Sequence, residues 1–470
     1  MSHNERTFCV LRSALCALLC CLLVTLAACA GPRAGVPAAQ PTVVGVVQAA
    51  TPAPQRTAAP VDERQWRVLY RRAGWDGGAA VDLRAVGDIM LGRLVADIAA
   101  RRGYGYPFEQ ARPLLNGDPS PGSGQALAIG NLESPLTERR APLRAGPYRL
   151  PAPTAFAAPL AGAGFRALSL ANNHALDAGP AGLQDAAGAL AAAGVAPLGA
   201  GPDAETARKP LIVDSNGLRV ALLAFNAVAD PEDQPGEGRG WGRAWLDDAA
   251  LAAVGQARTD AGVVVVLVHW GREYAAQPSD LQRAWARRLV AAGADLVVGA
   301  HPHVLQPIET IAEGGRSGVV AYSLGNFVFD QEFSPATGTG AALRFMLDRQ
   351  GVALAAAAPF EIVAGQPRPL ALDGDAGQAV IESLACHRDY RDREHDPKPL
   401  CDLCALCGSK ANEIAAWRWD GQTATAVDVP AGTVLGARPE RLPADLRGDG
   451  RPLWAALDAS GMVELRDGAA

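Results

Sequence analysis

Between Val81 and about Val363, short apolar runs alternate with longer stretches rich in Ala and Leu. Each apolar run ends abruptly in polar residues, and the stretches LQDAAGALAAAG and SDLQRAWARRLVAAG each close on a Gly suited to a helix C-cap. This alternation is typical of βα units and predicts a layered α/β domain. The predicted strands are VDLRAVGD, ALAIGNLE, RALSLANNH, RVALLAFNA, VVVVLVHWG, ADLVVGAHPH and GVVAYSLGNF.

The polar residues at or just after the ends of these strands form the candidate site. In open α/β sheets, ligands bind outside the carboxyl ends of the strands, so we expect these side chains to converge in one cleft. The set consists of Asp88, Asn131, Glu133, Asn172, Asn173, His174, Asp177, His269, Glu273, His301, His303 and Asn326.

Every histidine of the α/β segment belongs to this set, and the other three, His3, His387 and His395, lie outside the segment. Imidazole combined with carboxylate and Asn oxygen is the ligand mixture of zinc, manganese or iron sites that activate water, whereas structural zinc sites are rich in thiolate. Pro302 favours an extended backbone that would place the His301 and His303 rings on the same side. The pattern therefore predicts an open, hydrolytic metal site.

Structural roles remain open for several of these residues. Asp88 could be a turn or helix-cap residue, and Asn131 with Glu133 could cap the segment before Pro135. His269 could be a hydrogen-bonded histidine of the core.

Two further residues have alternative roles near the site. Asp177 could orient His174 or cap the next helix, and Glu273 could meet substrate or solvent. For Trp270 and Tyr274 we expect packing rather than substrate contact.

Six motifs in a fixed order carry a resemblance to a known family. They are AVGDIMLGR, GNLESPLT, SLANNHALDAG, VHWGREY, GAHPHVLQPIE and YSLGNFVFD, and they extend from about Leu83 to Phe329. In this order and spacing they resemble the capsule synthesis protein CapA family, which is associated with poly-gamma-glutamate. That family is similar in turn to the calcineurin-like metallophosphatases, so the resemblance implies a metallophosphatase-like fold that holds one or two divalent ions of manganese, zinc or iron.

The resemblance also implies roles for individual residues. His174 falls where the phosphatase general acid sits, and we group Asp177 with it as a catalytic residue. The substrate-binding candidates are Asn131, Glu273 and Asn326. The implied metal ligands are Asp88, Glu133, Asn173, His269, His301 and His303.

Two departures from the phosphatase pattern affect the number of ions. Met90 stands where a histidine is usual, and the GDxxD motif is replaced by GNLE, which ends at Glu133. One-ion and two-ion sites both stay open, with two slightly favoured. A two-ion site would divide the ligands into one group of Asp88, Glu133 and His303 and a second group of Glu133, Asn173, His269 and His301.

The resemblance suggests a metal-dependent enzyme that cleaves or transfers gamma-glutamyl amide bonds, with His174 protonating the leaving amine. The expected partners are a gamma-glutamyl polymer or another anionic surface polymer and, as a further candidate, the capsule synthesis machinery. The alternatives are a metal-dependent phosphoesterase and a non-catalytic capsule assembly factor. Met90 and the altered motif count against the phosphoesterase, and the retained histidines count against the assembly factor.

The N-terminal region predicts export. Residues 1–29 resemble a signal peptide that ends in the lipobox Leu-Ala-Ala-Cys, so we expect Cys29 to carry a lipid anchor outside the cytoplasm. An ordinary signal peptide and an uncleaved anchor are the alternatives. We expect residues 30–62 to form an Ala/Pro/Thr-rich linker.

The formal net charge of the chain is −6. Such a chain lacks the overall positive field on which nucleic-acid binding depends, so we expect no nucleic-acid partner.

The C-terminal region differs from the domain expected over residues 81–365. Residues 366–470 predict a small, β-rich extension with one blade-like unit formed by WRWDGQTATAVDV and ADLRGDGRPLWAALDASG. Four cysteines in an oxidising location favour two disulfides, with a zinc site as the alternative. They are Cys386, Cys401, Cys404 and Cys407. The sequence leaves the structure of residues 63–78 open.

Overall fold

A computed structural model describes residues 62–116, 126–139, 149–228 and 241–385, together with short strands beyond residue 385. Cys29, the signal segment and almost all of the predicted linker lie outside the described residues. The same holds for Cys386, Cys401, Cys404 and Cys407.

The strands and helices follow one another along the chain. The strands are β1 (Arg67–Arg71), β2 (Val81–Ile89), β3 (Leu127–Leu132), β4 (Phe165–Ser169), β5 (Ala196–Leu198), β6 (Ala200–Gly201), β7 (Leu211–Ser215), β8 (Leu218–Asn226), β9 (Gly242–Arg243), β10 (Val263–His269), β11 (Leu296–Ala300), β12 (Leu305–Glu313), β13 (Arg316–Leu324), β14 (Asn326–Val328), β15 (Thr339–Asp348), β16 (Gly351–Val363), β17 (Gln366–Pro369), β18 (Ala415–Trp419), β19 (Ala424–Asp428), β20 (Glu440–Arg441), β21 (Leu453–Leu457) and β22 (Val463–Asp467). The helices are α1 (Arg93–Arg102), α2 (Arg112–Leu115), α3 (Ala157–Ala163), α4 (Gly179–Ala192), α5 (Ala204–Ala207), α6 (Asp248–Asp260), α7 (Asp280–Ala292) and α8 (Asp375–Ser383). Short 3₁₀ turns form at Tyr106–Phe108 and Thr154–Phe156.

Within the described residues, the strands build two large mixed sheets. The first has the order β1-β16-β15-β2-β3-β4-β5, with β14 beside β2 and β17 beside β16. The second has the order β12-β13-β11-β10-β8-β7. In each sheet the central strands are parallel and the outer strands on at least one side are antiparallel.

The two sheets pack face to face, and alternate residues of each strand point to opposite sides. In β10, Val263, Val265 and Leu267 enter the core shared with the first sheet, whereas Val264 and Val266 pack under helices. Helices α6 and α7 cover the outer face of the second sheet, and α1, α3 and α4 cover that of the first. The expected layered α/β fold is therefore confirmed.

The best-formed helix has the signals that the sequence shows. Ser279 and Gln282 form a capping box at the start of α7, and Gly293 ends the helix with φ +129°. No helix in the described ranges has the length and apolar character needed to span a bilayer.

Several antiparallel strands were not predicted from the sequence. The open segment 63–78 contains β1, which pairs with β16, and β16 itself is an Ala-rich strand of 13 residues. Beyond residue 365, β17 extends the first sheet and α8 adds Val380 and Ile381 to the core between the sheets. In the C-terminal region, where the sequence does predict a β-rich extension, β18 pairs with β19, and β20, β21 and β22 form a separate antiparallel sheet.

Candidate functional site

The carboxyl ends of parallel strands from both sheets meet at one place, and most of the candidate residues lie there. The first sheet supplies Asp88 in β2, Asn131 in β3, Glu133 directly after it, and Asn172 and Asn173 after β4. The second sheet supplies His269 at the end of β10, with His301 and His303 just after β11. Two sheets, rather than the single open sheet behind the expectation, bring these side chains together.

Gly87 allows two chain segments to approach closely beside Asp88. A Cβ atom at this position would overlap the carbonyl oxygen of Gly325. The Asp88 amide donates to that oxygen at 2.9 Å, and Asn326 pairs with Asp88 in the sheet. The glycine before Asp88 therefore brings the loop at residue 325 into the site.

The His301-Pro302-His303 loop differs from its expected geometry. His301 has φ +98° and His303 has φ +59°, so the backbone is not the extended one that Pro302 led us to expect. The rings still come close, with centroids 5.9 Å apart. Hydrogen bonds to the loop hold this conformation, because the His301 amide donates to Asp88 Oδ2 at 3.1 Å and the Tyr274 amide donates to the Pro302 carbonyl at 2.8 Å.

Asn131 lies inside the cluster and holds its members in place. Its Nδ2 donates to Asp88 Oδ1 at 2.8 Å and lies 3.2 Å from His269 Nδ1, while its Oδ1 accepts from Asn172 Nδ2. The side chain is buried, with its polar atoms engaged by protein groups. These contacts position Asp88 and His269, and the substrate-binding role expected for Asn131 stays a prediction.

Asn326 makes similar contacts, and its expected substrate-binding role likewise stays a prediction. It is fully buried, its Oδ1 lies 3.0 Å from His303 Nδ1, and its Nδ2 donates to the Thr337 carbonyl at 3.1 Å. Because these contacts use both ends of the amide, Asn326 orients the His303 ring.

Glu133 is fully buried at the centre of the cluster. Neither of its carboxylate oxygens has a hydrogen-bond partner among the described residues. His269 Nε2 lies 3.7 Å and His174 Nε2 3.9 Å from Oε1, and His303 Nδ1 lies 4.0 Å from Oε2. Burial, reinforced by the neighbouring Asp88 carboxylate, raises the pKa of Glu133 well above its usual value.

Burial has the opposite effect on the histidines. It lowers the pKa of His301 to about 3 and holds the pKa of His269 well below its usual value, with the neighbouring imidazoles adding to both shifts. Both rings are therefore neutral at physiological pH, which is the form that binds metal ions. Nδ1 of His301 is a further buried atom of the cluster that lacks a hydrogen-bond partner within the described residues.

These unpartnered atoms fit a metal ion. Among the described residues, two groups that share Glu133 have ligand atoms within 4.8 Å of one another: Asp88 with Glu133 and His303, and Glu133 with His269 and His301. Asn173 Oδ1 lies 2.8 Å from His269 Nε2, on the side of the second group. Atoms bound at about 2.0–2.2 Å to one ion lie about 3–4 Å apart, so the cluster could bind a metal with small adjustments.

His174 and Asp177 form a pair at the edge of the cluster. His174 Nδ1 lies 2.9 Å from Asp177 Oδ2, and that oxygen also accepts from the Leu150 amide at 2.8 Å. Asp177 does not cap α4, whose N-cap is Ala178 without a side-chain bond. Of the two roles left open for Asp177, the contacts favour orienting His174.

The loop after β10 borders the cluster on the solvent side. Trp270 is buried and donates from Nε1 to the Tyr322 carbonyl, so it packs as expected. Tyr274 is 37% exposed and its ring centroid lies 6.0 Å from that of His303, so it borders the site rather than only packing. Glu273 is exposed beside it.

Arg93 was not assigned a role from the sequence, although it closes the motif AVGDIMLGR. Its φ of +47° is unusual for a non-glycine residue. The guanidinium pairs with Asp330 and lies 5.7 Å from the centroid of Phe329, a ring that itself packs edge-on against His303. Its position in the motif was the available signal. Asn172 was likewise noted without a role, and it supports Asn131.

The fold and this cluster define a layered α/β protein with a buried carboxylate and imidazole centre able to hold metal. The family profile described as "Bacterial capsule synthesis protein PGA_cap" matches residues 82–331, and the chain belongs to this family. The resemblance inferred from the six motifs is thereby confirmed.

Individual relatives agree with this assignment. The chain is 31% identical to "PGA biosynthesis protein CapA" of Bacillus subtilis over 68% of this chain and 81% of that protein. It is 35% identical to "Capsule biosynthesis protein CapA" of Bacillus anthracis over 66% of this chain and 72% of that protein. Among solved structures, a 5'-nucleotidase precursor from Thermus thermophilus superimposes with a TM-score of 0.37 and 15% identity, over 65% of this chain and 57% of that one. Similarity at that level does not assign a function.

Proposed function

We propose that this protein acts in capsule synthesis as a metal-dependent enzyme that cleaves or transfers gamma-glutamyl amide bonds. The observation that carries the proposal is the carboxylate of Glu133, which is buried without a hydrogen bond among the described residues. A buried carboxylate is costly unless a cation or donors compensate it, and a bound divalent cation would do so. Family membership and the CapA relatives support poly-gamma-glutamate as the polymer.

The proposed centre holds two ions of manganese, zinc or iron. Asp88, Glu133 and His303 would bind one ion, and Glu133 with Asn173, His269 and His301 would bind the other. When bound, such ions polarise a carbonyl oxygen and lower the pKa of water. Asn131 and Asn326 keep the ligands Asp88, His269 and His303 in the orientation that binding requires.

His174 is the proposed proton donor to the leaving amine. Asp177 bonds its Nδ1, which turns Nε2 toward Glu133 and the centre. A carboxylate on Nδ1 fixes which nitrogen faces the reacting bond. Since the ring is only partly buried, it can exchange its proton with solvent.

Arg93 supplies positive charge for an anionic polymer. Each unit of a gamma-linked glutamyl chain carries a free carboxylate, and Arg is suited to bind carboxylates through paired N–H groups. Nε and Nη2 of Arg93 bond Asp330, and no hydrogen bond of Nη1 is seen within the described residues. The side chain is one-third exposed, so Nη1 is available to a polymer carboxylate.

The location proposed for this activity is the outer face of the cell membrane, through a lipid on Cys29. Support comes from the sequence alone, in the lipobox and the linker that follows it. A capsule lies outside the cell, so an anchored enzyme would meet its polymer there.

The test is to incubate the purified protein, loaded with Mn²⁺ or Zn²⁺, with poly-gamma-glutamate and separately with p-nitrophenyl phosphate. We expect shortening or transfer of the polymer by the wild type and its loss in a His301→Ala, His303→Ala double variant. Glu361→Ala, at an exposed position of β16, is the control and should retain activity. Hydrolysis of the phosphoester alone would replace the proposal with a phosphoesterase, and metal binding without either reaction would support an assembly factor.

A further inference from the structure

One side of the metal cluster lacks a fourth ligand. Asp88, Glu133 and His303 approach their shared space from the protein interior. Met90, two residues after Asp88, contributes nothing there, because it is buried and its sulfur accepts from the Gly92 amide at 3.2 Å. An ion bound on this side would need a further ligand from the solvent side.

Glu273 is exposed and shares His303 with this group. A carboxylate oxygen of Glu273 and ring nitrogens of His301 and His303 all lie within 4.8 Å of one another. Unlike Glu133, the Glu273 side chain is exposed to solvent. Its carboxylate also contributes to the raised pKa of Glu133, as expected for a charge that faces the same space.

The loop that carries Glu273 is fixed relative to the two histidines. The Tyr274 amide donates to the Pro302 carbonyl at 2.8 Å, between His301 and His303. Tyr274 has φ +61°, and Trp270 at the start of the loop is anchored in the core. Because the backbone on both sides of Glu273 is held, its position over the histidine pair is a feature of the fold.

We propose that Glu273 is a metal ligand, which completes the coordination of the ion at His303 from the solvent side. This inference rests on the proposed function insofar as the centre binds metal, and it changes the substrate-binding role expected from the sequence. An exposed carboxylate is also an exchangeable ligand, since a carboxylate of the substrate can take the same position.

The test compares metal binding of the wild type with Glu273→Gln, which keeps the size of the side chain and removes its charge. Metal content is measured by elemental analysis, and affinity for Mn²⁺ and Zn²⁺ is measured by chelator competition. We expect Glu273→Gln to lower the affinity for one of the two ions by at least about tenfold. Residues that only hydrogen-bond to metal ligands already contribute that much to metal affinity, and a direct ligand should contribute no less. Glu273→Asp should show an intermediate loss.

The matched control is Glu382→Gln, at an exposed position of α8, which should bind metal as the wild type does. Equal thermal stability of the metal-free proteins would show that the variants fold. Unchanged affinity in Glu273→Gln would overturn this inference alone, leaving the proposed centre intact. A wild type that binds no metal would overturn the proposed function instead.

Discussion

Burial shifts the pKa values of the cluster residues in opposite directions, raising that of the carboxyl group and lowering those of the imidazoles. It keeps the imidazoles of His269 and His301 neutral, and it leaves Glu133 among them with no hydrogen-bond donor in the described residues. Neutral imidazoles cannot neutralise a carboxylate, so the ionised form of Glu133 is uncompensated unless a cation binds, which is why its pKa is raised when no cation is present. The free-energy cost of this buried charge without a cation favours the binding of one.

We therefore predict that Glu133→Gln stabilises the metal-free protein and abolishes stabilisation by metal. The amide keeps the shape of the side chain and removes the buried charge, and the melting temperature without metal should rise by roughly 2 °C or more. Wild type and variant are compared by thermal unfolding with EDTA and with excess Mn²⁺. A variant that is still stabilised by Mn²⁺ to the wild-type extent would show that Glu133 is not a ligand.

His174 is predicted to act on the reaction rather than on metal binding. His174→Ala should retain the metal content of the wild type and lose about 10²–10⁴-fold in turnover, the range for a general acid. Asp177→Asn should show a smaller loss, because the ring remains but its orientation is no longer held by a carboxylate. Loss of metal in His174→Ala, measured by elemental analysis, would instead identify His174 as a ligand.

At the scale of elements, the site depends on how closely β2 and the segment before β14 approach each other. Gly87 makes this approach feasible, since a side chain there would overlap the Gly325 carbonyl. The contact places Asn326 beside Asp88 and, through Asn326, orients His303. The backbone contact between Gly87 and Gly325 in the first sheet thus positions His303, which follows a strand of the second sheet.

Gly87→Ala should for this reason destabilise the protein by roughly 1–3 kcal/mol and weaken metal binding. The matched control is Gly188→Ala in α4, where a Cβ atom meets nothing within 4 Å. That variant should gain about 0.5–1 kcal/mol, because alanine favours a helix over glycine. Urea unfolding and chelator competition measure the two effects. Equal stability and metal affinity in Gly87→Ala and the wild type would contradict the role of this contact.

On the scale of the whole molecule, the proposed lipid anchor would determine where the protein acts. The linker that the sequence predicts over residues 30–62 would span about 30 Å as a random coil and would hold the domain near the membrane. The anchor would need two fatty chains or more, since a single chain binds only marginally.

Cys29→Ser is predicted to move the protein from the membrane fraction to the soluble fraction outside the cytoplasm. The thermal unfolding and metal content of the released protein should match those of the wild type, because the substitution lies far from the described domain in sequence. Immunoblots of cell fractions measure the change, with Cys16→Ser in the predicted signal segment as the control. A variant retained in the membrane fraction would indicate an uncleaved anchor.

The sequence by itself determined the parallel strands and the polar residues at their ends. Runs such as VVVVLVH are strongly β-forming, and polar residues that an apolar core does not require stand at or directly after their ends. Because parallel strands of one sheet end at the same edge, the closeness of Asp88 to Glu133 and of His269 to His301 follows from the sequence, whereas the meeting of the two pairs depends on how the two sheets pack. The layered fold and the family followed from the same runs and motifs.

Only the tertiary structure decided the strand at β16, the orientation of the buried amides and the backbone conformation at the two histidines. The Ala-rich β16 has no strong strand propensity of its own, and it is a strand because β15 and β1 bond it on either side. The amide of Asn131 faces Asp88 and His269, and that of Asn326 faces His303. The left-handed backbone at His301 and His303 depends on hydrogen bonds with distant residues. Contacts between residues that are distant in the sequence decide which atoms face one another across the two sheets. Local sequence preferences do not encode such contacts.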